Sequence, residues 1–387
     1  MTQNSTKLLW LTRILVGLLF IFSGLIKLND PLGFSYKLEE YFEVFHMVFL
    51  NPLSVFISIT VCALEVILGL FLLTGFYAKK VAWGLLLLIV FFTFLTFYSA
   101  AFDVVKTCGC FGDAIPLTPW QSFSKDLILV VLIVYIFINK NEIKSISTQK
   151  NTVKTTSIII IALPILFGLY SYIYLPILDF LPYKEGANII ESMKIPEGAP
   201  QDEFEIIYTL KNKNTGEKKE INDKDYIATK IYADTNWVLE SSSEPKLIKE
   251  GYQPKIKDLN VFDSQGVTYT EEIFDNPYYN LVAVGWKLDK TNKKALGDIN
   301  ALAINAKENF NTRSVFLTSN SPKDAEVLVK ELKLLPDVFF ADAVPLKSMV
   351  RSNPGLMLLK NGVVIKKWPS TALPSYDDLV KNYLSKP

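Results

Sequence analysis

Long apolar runs dominate the first half of the chain, broken at intervals by short polar segments, and this pattern predicts membrane-spanning helices. Five stretches, residues 8–28, 53–77, 81–102, 119–138 and 157–178, reach the about 20 residues needed to cross a bilayer. The fourth is the least uniform, because Gln121, Lys125 and Asp126 fall in its first two turns. Its second half is continuous and apolar, and Pro119 suits the first turn of a helix.

Beyond residue 182 the pattern changes to that of a globular α/β domain. Prolines 176, 182, 196 and 200 mark a hinge. Residues 204–210 and 226–233 read as added N-terminal strands, with a turn at 214–216 between them. A strand–helix alternation follows: strand 281–286, helix 294–309, strand 314–318, helix 322–334 and strand 338–341. Residues 355–359 and 363–368 form a hairpin about Asn361-Gly362, a strong hairpin dipeptide, and a helix over 375–384 closes the chain. The expected architecture is an α-helical membrane bundle of about five spans followed by an α/β extracytoplasmic domain with a mixed sheet. The expected boundaries are 1–182 for the bundle, 183–275 for a hinge and β-rich segment, and 276–387 for the terminal domain.

Charge sharpens the division. The 387 residues carry a formal net charge of +1, with 40 Lys and Arg against 39 Asp and Glu, and most of both lie after residue 182. That balance, with no basic tract, argues against a nucleic-acid partner. A single histidine, His46, argues against a His-rich metal site or a Ser-His-Asp triad. Lys7 and Arg13, Lys79 and Lys80, and Lys140, Lys144, Lys150 and Lys154 mark one side as the positive one. The N-terminus is therefore expected to be cytoplasmic and the terminal domain periplasmic, in a multi-pass inner-membrane protein. No clear cleavage site follows the first span, so it reads as an anchor.

The chemistry concentrates in Lys106-Thr107-Cys108-Gly109-Cys110-Phe111-Gly112-Asp113, between the third and fourth spans. Two of three cysteines lie here on the side where disulfides persist. A Cys108–Cys110 bond would close a very small ring, which Gly109 helps to bend, and strained or exposed disulfides are the exchanging kind. Lys106 is a candidate thiolate stabiliser. A static clip, a pair of packed thiols and a metal site are the alternatives, although two thiols without histidine make a poor zinc site. Cys62, in the second span, lies about 14 Å below the interface at 1.5 Å per residue and reads as a buried small hydrophobe out of reach of that loop. Glu65, near mid-membrane, is a candidate proton acceptor, with a protonated carboxyl bonded between helices as the alternative. Lys125 and Asp126 are expected to reach interfacial water.

The stretch Phe22-Ser23-Gly24-Leu25-Ile26-Lys27-Leu28-Asn29-Asp30-Pro31-Leu32-Gly33 resembles DoxX-type membrane proteins. Cys108-Gly109-Cys110-Phe111-Gly112, with Glu65, Gly69 and Gly75, resembles the related methylamine-utilisation MauE family. Asp179-Phe180-Leu181-Pro182-Tyr183-Lys184 is similar to a segment of DoxX-like proteins from the Bacteroidetes. These resemblances cover about residues 8–190 and imply a small inner-membrane helical bundle. MauE proteins are implicated in maturing a disulfide-rich periplasmic enzyme subunit, and DoxX relatives in quinone-coupled sulfur oxidation. Residues 353–362 resemble the thioredoxin segment in which a cis-proline precedes a hairpin, which makes Pro354 the cis-proline candidate and Asn353–Pro354 a candidate docking surface. The thioredoxin Cys-x-x-Cys is missing: Lys287-Leu288-Asp289-Lys290-Thr291 stands in its place, and no cysteine follows residue 110.

The resulting expectation is an inner-membrane thiol-redox or maturation factor, a candidate thiol-disulfide oxidoreductase, embedded in the lipid bilayer. One thiolate of the Cys108/Cys110 pair attacks a client or donor disulfide and the other resolves the mixed bond. Electrons pass to a membrane quinone, the candidate cofactor, or to a redox partner protein, while the thiol-free tail docks a periplasmic client. The alternatives are a non-catalytic scaffold that assembles a periplasmic complex and a quinone-linked DoxX-type respiratory subunit, though no recognisable quinone motif is present.

Overall fold

The computed structural model describes residues 3–105 and 109–385. Two compact units divide the chain: Met1–Ala187 with Asn260–Pro387, and Asn188–Leu259.

In the first unit, helices α1 (Gln3–Asn29), α3 (Ser54–Thr74), α4 (Ala78–Phe102), α5 (Pro119–Ile138) and α6 (Lys150–Tyr174) supply the spans. All five are long and apolar enough to cross a membrane, as expected for a multi-pass membrane protein. The polar start of α5 is explained by its cap. Thr118 and Gln121 form a reciprocal capping box ahead of Pro119. Helix α6 begins seven residues before the expected 157, so Lys150 and Lys154 belong to its first turns and not to a loop.

The connection after α1 holds a helix that the sequence reading lacked, α2 (Pro31–Val44). Asp30 caps it by accepting from the Gly33 N–H at 2.9 Å, and Pro31 opens it. Phe34, Leu38, Tyr41 and Phe42 form its buried stripe at helical spacing, and three of them pack with Leu28, Ile59 and Val66.

Helices α1 and α3 approach closely. A Cβ on Gly24 would lie 2.7 Å from the Cys62 carbonyl oxygen, and one on Gly69 would lie 2.7 Å from that of Gly17. Small residues at such crossings let membrane helices pack backbone to backbone.

The second unit carries α7 (Ile189–Met193), a two-stranded pairing of β1 (Glu203–Glu205) with β5 (Lys246–Lys249), and a three-stranded antiparallel sheet. That sheet joins β3 (Lys218–Asn222), β2 (Ile207–Asn212) and β4 (Trp237–Ser242), in that order. The expected strand over 226–233 is instead helix α8 (Asp223–Ala228) followed by a 3-10 turn, Ile231–Ala233. Asn222 caps α8 through the Asp225 N–H at 2.7 Å. Asp223 and Asp225 complement the helix N-terminus, and together they outweigh the local strand preference.

The terminal part of the first unit keeps the expected strand–helix order and adds two short helices that the sequence reading lacked, Thr270–Phe274 and Ala343–Met349. After α9 (Thr270–Phe274) come β6 (Asn280–Val284), α10 (Lys293–Phe310), β7 (Arg313–Thr318), α11 (Pro322–Leu332), β8 (Asp337–Phe340), α12 (Ala343–Met349), β9 (Gly355–Lys360), β10 (Val363–Pro369) and α13 (Tyr376–Leu379). The sheet order is β10-β9-β6-β7-β8, with β6, β7 and β8 parallel and β9 antiparallel to β6 and β10. Every residue of the central strand β6 is buried. Leu281, Leu296, Ile299, Phe316, Leu328 and Leu358 close the core.

Introducing side-chain bulk at the α1–α3 crossing should therefore separate the helices. Gly69→Ala and Gly24→Val are each expected to cost about 1–3 kcal/mol, seen as a lower thermal midpoint in detergent. Gly84→Ala, whose Cβ would meet only the Leu68 side chain, should stay near wild type.

Candidate redox site

Helix α1 places Ser23 and Lys27 one turn apart, facing Glu65 on α3. Lys27 and Glu65 form an ion pair with side chains only 3% and 2% exposed. Isolated charges at such depth are costly, and pairing with hydrogen bonding is what makes them tolerable. The Lys27 ammonium also sits 5.1 Å and 5.0 Å from the ring centroids of Phe34 and Phe92. The Ser23 hydroxyl lies 2.9 Å from Glu65 Oε2 and 2.9 Å from the Cys110 carbonyl oxygen, both within its donating reach.

The turn Gly109–Gly112 thus meets α1 at Ser23, and Lys27 is within electrostatic reach of both Cys62 and Cys110. Cys62 is completely buried. Gly109 and Gly112 take left-handed φ values of 64° and 52°, and the Gly112 N–H donates to the Gly109 carbonyl at 3.0 Å, closing a tight turn around Cys110. Lys106 and Cys108 lie outside the described residues. Lys125 is also within electrostatic reach of Cys110, 5.5 Å from the Phe111 ring centroid. Its ammonium pairs with Asp126 at 2.5 Å, and Thr96 donates to the other Asp126 oxygen at 3.0 Å. Asp126 is buried, contrary to the expectation that it meets interfacial water.

The loop partitions two cavities. Cys110 and Phe111 line an apolar chamber of about 310 Å³, whose polar lining is Ser23, Lys27, Glu65, Thr96, Lys125 and Asp126. Gly109, Gly112 and Asp113 line a second, more polar cavity of about 370 Å³, with Asp30, Lys347 and Arg351. Lys27 and Phe34 line both.

The tail enters this second cavity. The Asn353–Pro354 bond is cis, Pro354 is buried and Asn353 half-buried. Asn353 Nδ2 donates to the Lys287 carbonyl at 2.8 Å, and its Oδ1 accepts from the Thr291 hydroxyl at 2.9 Å. This ties it to the segment between β6 and α10. Asn353 lines a cavity shared with Tyr36 and Glu39 of α2 and with Trp286, and the Trp286 and Tyr36 rings meet edge-on at 6.0 Å. The expected docking face is thus turned toward the protein's own α2.

Arg351 completes the arrangement. Its Nε donates to Asp30 Oδ2 at 2.8 Å, Nη2 to Asp113 Oδ2 at 2.9 Å and Nη1 to the Lys347 carbonyl at 2.8 Å. Burial works against its charge, but Asp30 and Asp113 outweigh it and hold the guanidinium above its ordinary value. Burial likewise pushes the Tyr36 phenol up, and lowers the Lys347 ammonium. Partial enclosure pushes the Asp113 carboxyl up, with Arg351 pulling against it. The folded state therefore binds the Asp113 proton more tightly than the unfolded chain. That contribution to stability is present below the ordinary carboxylate range and lost as pH rises through the raised value.

Lys27, Lys125 and Arg351 are the residues that sequence reasoning did not place in the site. A charge inside one span opposite Glu65 in another was the available signal for Lys27. For Arg351 the signal was rarity: only Arg13, Arg313 and Arg351 are arginines among 40 basic residues, and a fork-shaped donor suits a site with several acceptors.

These features define a multi-pass membrane protein in which the turn carrying Cys110 lies beside a buried ion pair and is joined to an α/β tail. Residues 5–139 match the family described as methylamine utilisation protein MauE, so the first four spans form a MauE-family domain. The chain is also similar to protein TlpB of Flavobacterium psychrophilum, at 29% identity over 261 residues, which is 65% of this chain and 66% of that relative. No solved structure matches it. The MauE part of the resemblance is thereby borne out, while the DoxX part stays a resemblance of motif.

Breaking the buried pair should cost more than removing it. Lys27→Met alone is expected to destabilise by about 3–5 kcal/mol, and Lys27→Met with Glu65→Leu to recover most of that loss, both read from thermal unfolding in detergent. Equal losses in the two variants would contradict the pairing.

Proposed function

We propose that the protein is an inner-membrane thiol-disulfide redox factor that supports maturation of a client outside the cytoplasm, with its N-terminus cytoplasmic and its tail periplasmic. The observation that carries this reading is the contact of the Cys110 turn with α1 at Ser23, beside Lys27 and Lys125. Two cationic side chains, Lys27 and Lys125, line the same chamber as Cys110.

In this reading Cys108 and Cys110 cycle between disulfide and dithiol. A client thiolate attacks the Cys108–Cys110 bond, forming a mixed disulfide and releasing one thiolate of the pair. The second client thiol displaces the other, so the client gains a disulfide and the pair is reduced by two electrons. Reoxidation passes two electrons and two protons to a membrane quinone, which becomes the quinol. The chamber supports that acceptor class, since it is lined by Phe20, Phe91, Phe92 and Leu129 as well as by the polar groups around Cys110. Glu65 is the proton acceptor, and Ser23 connects it to the loop. The Asn353–Pro354 face, being turned to α2, meets a client only when α2 yields it.

Gel-shift thiol trapping across a redox series, on membranes containing the full chain, tests this directly. A reversible midpoint for Cys108 and Cys110, lost in Cys108→Ser and Cys110→Ser but kept in Cys62→Ala, is the expected result. A pair locked in one state across the series would instead make the motif structural and favour the non-catalytic scaffold.

A further inference from the structure

We infer that Arg351 is a positioning residue for the turn that carries Cys110, and that the cysteine-free tail acts on the thiol chemistry as a latch across that turn. The inference rests on the redox reading for its consequence but not for its geometry.

The turn is held from two directions. From the membrane side, the Ser23 hydroxyl reaches the Cys110 carbonyl. From the tail side, Arg351 holds Asp113, three residues further on and just beyond the same turn. The guanidinium is itself immobilised. Its side chain is 6% exposed, its three nitrogens bond in three directions, and the Tyr36 ring lies 5.5 Å from its central carbon. Asp30, the second carboxylate, caps α2 with its other oxygen. Arg351 therefore ties the redox turn, the start of α2 and the end of α12 at one point. A lysine offers no planar fork and cannot make the three contacts in those directions. Lys347 lies 4.5 Å from Tyr36 and 4.6 Å from Trp286, which packs the tail against α2 beside the latch.

Because the turn is the partition between the two cavities, its fixed position decides how far Cys110 is presented to each. Releasing Asp113 should free the turn toward the polar cavity. The same release should alter the balance between disulfide and dithiol, because the strain of so small a ring depends on the backbone around it.

The test uses the full chain in membranes, with Arg351→Gln, Arg351→Lys and Asp113→Asn. One readout is the rate at which a membrane-impermeant maleimide labels Cys110 in a Cys108→Ser background. The other is the midpoint of the intact pair. Arg351→Gln and Asp113→Asn are each expected to raise the labelling rate about tenfold or more and to displace the midpoint in the same direction. Arg351→Lys should show a similar release, with Cys62 labelling unchanged throughout. Asp113→Asn keeps the experiment decisive if Arg351→Gln does not accumulate, since its side chain is half-exposed. Wild-type labelling in Asp113→Asn would overturn the latch. A wild-type pair without a reversible midpoint, combined with accelerated labelling, would overturn the redox reading and leave the latch standing.

Discussion

A lysine and a glutamate buried together inside a bilayer constrain most of what surrounds them. Burying either side chain alone would be costly, so the two are held as a pair, which needs further polar partners and a wall against lipid. Ser23 supplies a hydrogen bond, Phe34 and Phe92 supply ring faces, and Phe34 and Leu38 of α2 line the chamber beside the pair. The close glycine crossing of α1 and α3 is what brings the two charges together. The turn around Cys110 then settles where a polar surface already exists, because its exposed backbone carbonyl needs a donor at that depth and Ser23 provides one.

From this follows a division of labour along the loop. Its Cys110–Phe111 side belongs to the membrane chamber and its Gly112–Asp113 side to the polar cavity. In the redox reading proposed above, that division lets one turn face the apolar chamber and the polar cavity without any large motion of the helices. Lys27 lines both cavities, so its charge acts on whatever occupies either.

The spans were readable because an uninterrupted apolar run needs no knowledge of its neighbours, and α5 could be bounded because Pro119 and Ile138 are local marks. Helix α2 was hidden by Lys37, Glu39 and Glu40, which interrupt a stripe that shows only at i, i+4, i+7 and i+8. The segment 226–233 misled for the opposite reason: its Tyr and Ile residues favour a strand, while a cap four residues earlier governs the backbone. In the site, Glu65 was visible as an unusual residue, yet its partner is 38 positions away. Arg351 lies 321 positions from Asp30 and 238 from Asp113. Such pairings depend on the tertiary path of the chain, which no local period encodes. The hairpin and sheet of the tail, built on neighbouring elements and the Asn361-Gly362 turn, were legible down to a residue or two.

The tail poses the sharper question of what a cysteine-free α/β domain contributes beside a cysteine-bearing loop. In the segment 287–291, between β6 and α10, Thr291 donates to the Lys287 carbonyl or to Asn353, and Asn353 donates back to Lys287. Hydrogen bonds thus fix this loop. Rigidity at that place has a use once the adjacent face is turned on α2, because a latch transmits position only if its own foundation does not move. Arg351, three residues before Pro354, inherits that rigidity and delivers it to Asp113. In the redox reading proposed above, the tail thereby contributes geometry and the membrane loop contributes the sulfur.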